Sequence, residues 1–374
     1  MPKHWPSTVP FVPLPAAADD PLALTGLKAW RLREPASGRR YTVVRVESRS
    51  GALGYGEGGS AVAADIAQAK SAISGRRATD NEVLRHTLSA CPAMEAAVNN
   101  ALLDLLGRAK GVPIYQYLGG PTRYKARVVA RLEGENNDEL VAAVRPALDR
   151  GFRAFSFPIP ARDEMWRMQA YVDAIRKRFE QLKETAGPGT DFVLDAAGIL
   201  TPGDASFIAT AFERDHLLWF DEPTEILTND ALSRLSDESV MPIGLSRTVT
   251  DVTTFQNLLR WGCVDILRPS LALNSAQQIR RMAAVAETHY VAVGPYHNGG
   301  PIGTVAAIHL AASLPNFFAQ EVPIPKAEQD RAMRAELVGN HENATDGFAP
   351  LINKPGLGVD VNEQALARYS EEVL

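Results

Sequence analysis

The sequence predicts an α/β chain: a modified (β/α) TIM-type barrel with an N-terminal α+β capping domain. Three observations predict it. The 374 residues exceed one ordinary core and suit a barrel of about 250 residues with a module of roughly 100 beside it. The early part of the chain runs strands first and helices after, the order of an α+β unit. From about Arg127 onward, short apolar runs alternate with helical segments, as repeated βα units around a parallel sheet do. The expected division is residues 1–125 for the cap, 126–345 for the barrel and 346–374 for a segment returning to the cap.

In chain order, residues 27–33 and 41–48 alternate apolar and polar with period two, which marks antiparallel strands. Ser50-Gly51, Gly54 and Gly56 read as the turns between strands. Residues 61–74 and 92–110 read as helices, the second opening on Pro92 with an apolar face of Met94, Ala97, Val98, Leu102, Leu105 and Leu106. The barrel strands are sought at 128–132, 154–157, 192–194, 217–220, 241–245, 264–267, 291–293 and 317–319. Helical periodicity fills segments such as 138–149, 164–183, 251–260 and 275–288. Eight strands select a closed barrel over an open sheet, with a seven-plus-one variant also compatible. No Gly-x-Gly-x-x-Gly follows a strand, which argues against a dinucleotide fold.

Composition narrows the function classes. The formal charge of −5 and the absence of a basic stripe exclude a nucleic-acid partner. No signal-like segment is read in residues 1–22 and no stretch approaches a membrane span, so a cytoplasmic protein without a membrane partner is expected. Cys91 and Cys263 are read as buried small residues, not as a disulfide or zinc pair. Asn343-Ala344-Thr345 has the form of a glycosylation acceptor and is read as accidental. Trp30, Trp166, Trp219 and Trp261 are read as packing residues.

In a barrel of this kind the reacting groups project from the C-terminal ends of the strands. In order, those ends offer Arg131 and Glu133, Ser156 and Pro158, Asp195, Asp221 and Glu222, Ser246 and Arg247, Arg268 and Ser270, Tyr296 and His297, and Glu321. Carboxylates on successive ends, Asp195 and Glu222, suit a hard cation such as Mg2+. They serve equally well as partners for arginine or a loop N–H.

Several segments together carry a family resemblance. They are Asp104-Leu-Leu-Gly-Arg-Ala-Lys-Gly-Val-Pro-Ile-Tyr-Gln-Tyr-Leu-Gly-Gly120, Gly54-Tyr-Gly-Glu57, Trp219-Phe-Asp-Glu-Pro223 and Val264-Asp-Ile266. With them stand His297-Asn-Gly-Gly-Pro301, the helix around His309-Leu-Ala-Ala-Ser313, and Pro355-Gly-Leu-Gly-Val359. The chain resembles the mandelate racemase and muconate lactonizing group of the enolase superfamily from about residue 54 to 360. The resemblance implies a homo-oligomer and a small-molecule carboxylate as substrate. It also implies a Mg2+ ion held by carboxylates on strands three, four and five, and a base that removes the proton α to the substrate carboxylate.

Carried over residue by residue, the first two metal positions are Asp195 and Glu222, and the third falls on Arg247. A guanidinium offers donors only and cannot ligate a cation. The strand-two base positions hold Ser156 and Pro158. The strand-seven and strand-six positions hold Tyr296 and Ser270, with His297 one residue out of register. Glu321 matches the strand-eight acid.

The expectation drawn from these departures is that Arg247 takes the place of the ion between Asp195 and Glu222, with no cofactor needed; Mg2+ is the alternative. Tyr296 and His297 are the catalytic candidates. Arg131, Arg268, Glu321, Ser156 and Ser270 are the substrate-binding candidates, the arginines serving either a ligand carboxylate or ordinary ion pairs. The leading functional reading is a divergent barrel that binds an organic acid, such as a sugar acid, with altered or lost chemistry. The alternatives are Mg2+-dependent α-proton abstraction by a racemase, dehydratase or cycloisomerase, and a purely structural role.

Overall fold

The computed structural model describes residues 17, 19–162, 165 and 167–374. Most of the segment read for a signal, the first residues of the 164–183 helix and Trp166 lie outside the described residues.

Among the described residues the strands form two sheets. In the first, β1 (Leu24–Arg33), β2 (Arg40–Ser48) and β3 (Leu53–Gly58) pair antiparallel in sequence order. Eight strands then pair in parallel, each beside the next: β4 (Lys125–Arg131), β5 (Ala154–Pro158), β6 (Asp191–Asp195), β7 (Phe220–Asp221), β8 (Ile243–Leu245), β9 (Ile266–Leu267), β10 (Ala292–Val293) and β11 (Gln320–Pro323). β11 returns beside β4. A parallel bridge between Val293 and Phe317 joins the remaining edges, with Val293 N–H donating to Asn316 O at 2.8 Å and Phe318 N–H to Val293 O at 2.8 Å. β12 (Phe348–Pro350) lies antiparallel on β4, and β13 (Ser370–Val373) adds to β1. The predicted barrel with its antiparallel N-terminal sheet is the fold observed.

Two local readings change. The eighth strand is residues 320–323, not 317–319: the earlier apolar residues make the bridge to β10, and the strand itself carries the polar Gln320 and Glu321 into the interior. Apolarity located the segment but misplaced its register. Gly54 and Gly56 sit inside β3 and are not turn residues. With Gly58 they face the helix Pro92–Lys110, where a Cβ on each would collide with the carbonyl oxygens of Ala101, Ala97 and Ala93 respectively. Steps of two along a strand thus meet steps of four along a helix, and only hydrogen fits between them.

The helices begin where side-chain oxygens satisfy the first free N–H groups. Asn136, Thr201, Asp251 and Ser275 cap the helices starting at Asn137, Pro202, Val252 and Ala276. Cys91 and Cys263 are buried free thiols, as read. Trp30 and Trp219 are fully buried. No helix among the described residues is long and apolar enough to cross a membrane.

The helix Pro92–Lys110 also fastens the N-terminal sheet to the rest. Asp104 accepts from Tyr55 N at 2.9 Å and from Leu357 N at 2.7 Å, so one carboxylate ties β3 to the C-terminal segment. Asn100 Oδ1 accepts from Ala276 N at 2.9 Å, capping a barrel helix from outside. Glu57, at the end of β3, accepts from Gly300 N at 2.5 Å and Gly303 N at 3.0 Å, at the start of the helix Pro301–Ser313. A carboxylate there meets free N–H groups and the positive end of the helix dipole. Arg334, fully buried, bridges Glu34 at 2.6 Å and Glu342 at 2.6 Å.

Two outcomes follow from this docking. Gly56→Ala should destabilise the protein by roughly 3 kcal/mol, since the added methyl must displace helix backbone; urea unfolding reads it. Burial pushes the Glu57 carboxyl up to about 7, against the opposing pull of the Gly303 N–H, Arg334 and the Gly300 N–H. Its folded pKa lies above the ordinary value, so the stability it contributes is full below about 4.5 and is lost as pH rises through about 7. Glu57→Gln should therefore gain stability relative to the native chain between pH 5 and pH 8; urea midpoints whose difference stays flat across that range would assign the effect elsewhere.

Candidate active site at the barrel mouth

Six strands each send one charged side chain into the barrel mouth, and the six close a ring of alternating sign. Arg131 contacts Asp195 at 3.0 Å; Asp195 contacts Arg247 at 3.0 Å; Arg247 contacts Asp221. Asp221 contacts Arg268 at 3.0 Å, Arg268 contacts Glu321, and Glu321 returns to Arg131 at 3.1 Å. Asp195, Asp221, Arg268 and Glu321 are nearly inaccessible, Arg247 is 8% exposed, and Arg131 is 20% exposed at the side chain. Charges this deeply buried persist only when paired and hydrogen-bonded. Arg268 is held further by the carbonyl oxygen of Gly294 at 2.5 Å. Although burial pushes the Asp221 carboxyl up, Arg247 and Arg268 outweigh it and hold its pKa below the ordinary value.

The two remaining strands supply the neighbours of the ring. Tyr296, after β10, lies against all three guanidinium groups, with Arg247, Arg131 and Arg268 at 4.3, 5.6 and 5.9 Å from its ring centre. Such cation–π contacts favour the charged guanidinium. Ser156, on β5, has a buried Oγ with no hydrogen-bond partner among the described residues. The backbone is strained at three successive strand ends: Ala197, Glu222 and Ser246 have φ of 50°, 42° and 101°. Each such residue costs on the order of 1–3 kcal/mol, and this strain concentrates at working sites.

Several sequence-based expectations change against this geometry. The Arg247 side chain pairs with Asp195 and Asp221, not with Asp195 and Glu222. Strand alternation turns Asp221 inward, whereas the Glu222 carboxylate accepts from the Arg247 backbone N–H at 2.9 Å. Burial first, then the neighbouring Asp221, pushes the Glu222 carboxyl up to about 7. His297 does not join the ring. Its Nε2 bonds Gly300 O at 2.9 Å, its charged neighbours are Arg334, Glu342 and Arg39, and burial drives its pKa down to about 4, so it is a neutral local brace.

Tyr296 is in place, but burial raises its pKa despite Arg131 and Arg247, which suits a proton donor and not a base. Ser270 Oγ accepts from Ala272 N at 3.2 Å, a local turn contact. Arg131, Arg268 and Glu321 are ring members, and Glu133 pairs with Arg39 instead. Asp221 was legible as a strand-end acid, and its alternation with Glu222 is the signal for its inward direction.

A cavity of about 750 Å³ opens over Arg131. Its walls include Ser37, Glu133, Asn298, Lys326 and Asp330. Asn298 presents a buried Oδ1 with no partner among the described residues. The loop bearing Ser37 is clamped from below, Asp330 accepting from Ala36 N at 2.8 Å and Ser37 N at 2.9 Å. Nothing in the sequence signalled Ser37 or Asp330, because loops far apart in the chain bring them together.

A divalent ion of the family's kind needs several free carboxylate oxygens. One Asp195 oxygen faces Arg247 and the other faces Arg131. Among the described residues no three His, Cys, Asp or Glu side chains gather as metal ligands. As arranged, these side chains do not form a three-carboxylate cage.

Breaking the ring should be costly. Arg268→Met leaves Asp221 and Glu321 buried with one partner fewer each, and unfolding in urea should show a loss of about 3–5 kcal/mol.

Comparison with known proteins places these features in context. Residues 139–365 match the family model "Enolase C-terminal domain-like". The D-galactonate dehydratase of Pectobacterium atrosepticum is 28% identical over 281 residues, covering 74% of this chain and 73% of its own. That of Xanthomonas campestris is 27% identical over 279 residues, with coverage of 74% and 73%. A solved mandelate racemase/muconate lactonizing enzyme-like protein from Rubrobacter xylanophilus superposes with a TM-score of 0.82 at 25% identity, over 94% of this chain and 98% of that one. The family match overturns the expectation that no cofactor is needed, because Mg2+ is the typical cofactor of that superfamily.

Proposed function

Because the chain belongs to the enolase C-terminal domain-like family, we propose that it is a Mg2+-dependent lyase acting on a small polyhydroxylated acid. The proton α to the carboxylate and the hydroxyl on the next carbon are lost, in sum as one water, and the resulting enol becomes a 2-oxo acid. The observation that carries this reading is the polar cavity over Arg131. Hydroxyl, carboxylate and amide groups around one guanidinium suit a sugar acid better than an aromatic or aliphatic one. The likeness to proteins named D-galactonate dehydratase supports the same reaction class over altered or lost chemistry.

In this reading Arg131, the most exposed guanidinium of the ring, takes the substrate carboxylate. Asn298 and Ser37 meet substrate hydroxyls. Tyr296, kept as a phenol by burial, supplies a proton to the departing hydroxyl. A homo-oligomeric, cytoplasmic enzyme, divided at residues 125/126 and 345/346, belongs to the same proposal.

The test is incubation with Mg2+ and a panel of aldonic acids in deuterated water, followed by NMR. Loss of the α-proton signal together with a 2-oxo product is expected for at least one acid, and neither change across the panel would remove the proposal. Arg131→Ala should raise KM for the responding acid roughly 10- to 100-fold, the scale of a charge-assisted contact. Arg131→Lys should recover part of that loss.

A further inference from the structure

The departure at residue 247 has a consequence for how the ion would be taken up. We infer that Arg247 is a built-in competitor for the divalent cation, and that an ion reaches Asp195 and Glu222 only when the Arg247 guanidinium has swung out of the ring. The inference rests on the Mg2+-dependent reading above.

Occupancy makes the two cations exclusive. Arg247 Nη1 lies 3.0 Å from Asp195 Oδ1, the same oxygen that accepts from Ala197 N at 2.9 Å, while Oδ2 faces Arg131. No lone pair there is directed at a second cation while the guanidinium stays. Four buried carboxyl groups, Asp195, Asp221, Glu222 and Glu321, share three guanidinium groups, and a divalent ion placed beside Arg247 would meet that guanidinium's charge in a low-dielectric interior.

Of the two arginines that hold Asp221, Arg247 is the freer to leave. Arg268 is inaccessible and tied to the Gly294 carbonyl. Arg247 keeps slight exposure, and its buried Nε has no partner among the described residues. It is rooted beside Ser246, whose positive φ strains the backbone at its base. When it swings away, Asp195 keeps Arg131 and Asp221 keeps Arg268, so neither acid is stranded.

The experiment is a Mn2+ titration of the full chain, followed by electron paramagnetic resonance of the free ion, for the native protein, Arg247→Met and Arg247→Glu. Near-ultraviolet circular dichroism confirms that each is folded. Affinity should rise in that order, with R247E on the order of 100-fold or more tighter than the native chain, beyond what altering an outer-shell partner achieves. If R247E does not fold, R247M alone decides: tighter binding than native supports the inference and equal or weaker binding overturns it. Native affinity equal to that of a folded R247E, or no binding by either variant, also overturns it. The readout is ion affinity and not turnover, so failure of the dehydration assay would leave this result intact.

Discussion

Buried charge must be neutralised where it lies, and in this barrel the requirement is met by a closed circuit of three arginines and three acids contributed by six strands. The circuit accounts for much that surrounds it. Strands as short as two residues, such as β7 and β9, hold register there because their end residues are fixed by ion pairs across the mouth. The strained backbone at Glu222 and Ser246 places the Arg247 N–H on one acid and its guanidinium on two others. Tyr296 covers the guanidinium faces that the acids leave open. Only Arg131 meets the cavity, so an arriving acid encounters the circuit at one point.

How far the sequence foretold this depends on the range of the interaction. The helix Pro92–Lys110 was bounded correctly because Pro92 starts it, Gly111 ends it, and its apolar face is continuous. The barrel was countable because each βα unit repeats the same local alternation. Strand-end arithmetic identified every member of the circuit as an end residue, and the resemblance located the departure at 247. It did not foretell which acids would face which arginines. Asp221 and Glu222 are adjacent, and which one turns inward is settled by pairing with β6 and β8. His297 looked like a site residue by position, yet the chain turns there so that its ring packs under the next helix. Ser37, Asp330 and Asn298 come together through loops, and no short-range pattern encodes that.

The seam between the N-terminal sheet and the barrel is more polar than a core usually is. Glu57, Glu34, Arg334 and Glu342 are all buried there. Each acid has a specific donor: helix N–H groups for Glu57, Arg334 for the other two. An apolar seam would allow the two parts to slide, whereas directional bonds set one orientation. That orientation positions the 34–39 loop over the cavity and lets Asp330 grip its backbone.

The glycine ladder of β3 bears on how such a chain diversifies. Because helix and strand touch through hydrogen at residues 54, 56 and 58, the foundation of the module tolerates almost no change, while the loop it carries is held at Ala36 through its backbone N–H and at Ser37 also through a hydroxyl that donates to Glu34 at 2.8 Å. The side chain at 36 is therefore the cheaper of the two to exchange. New ligand preferences can be explored there without loosening the hinge-free joint beneath, and selection is expected to leave its variation in the loop and its silence in the ladder.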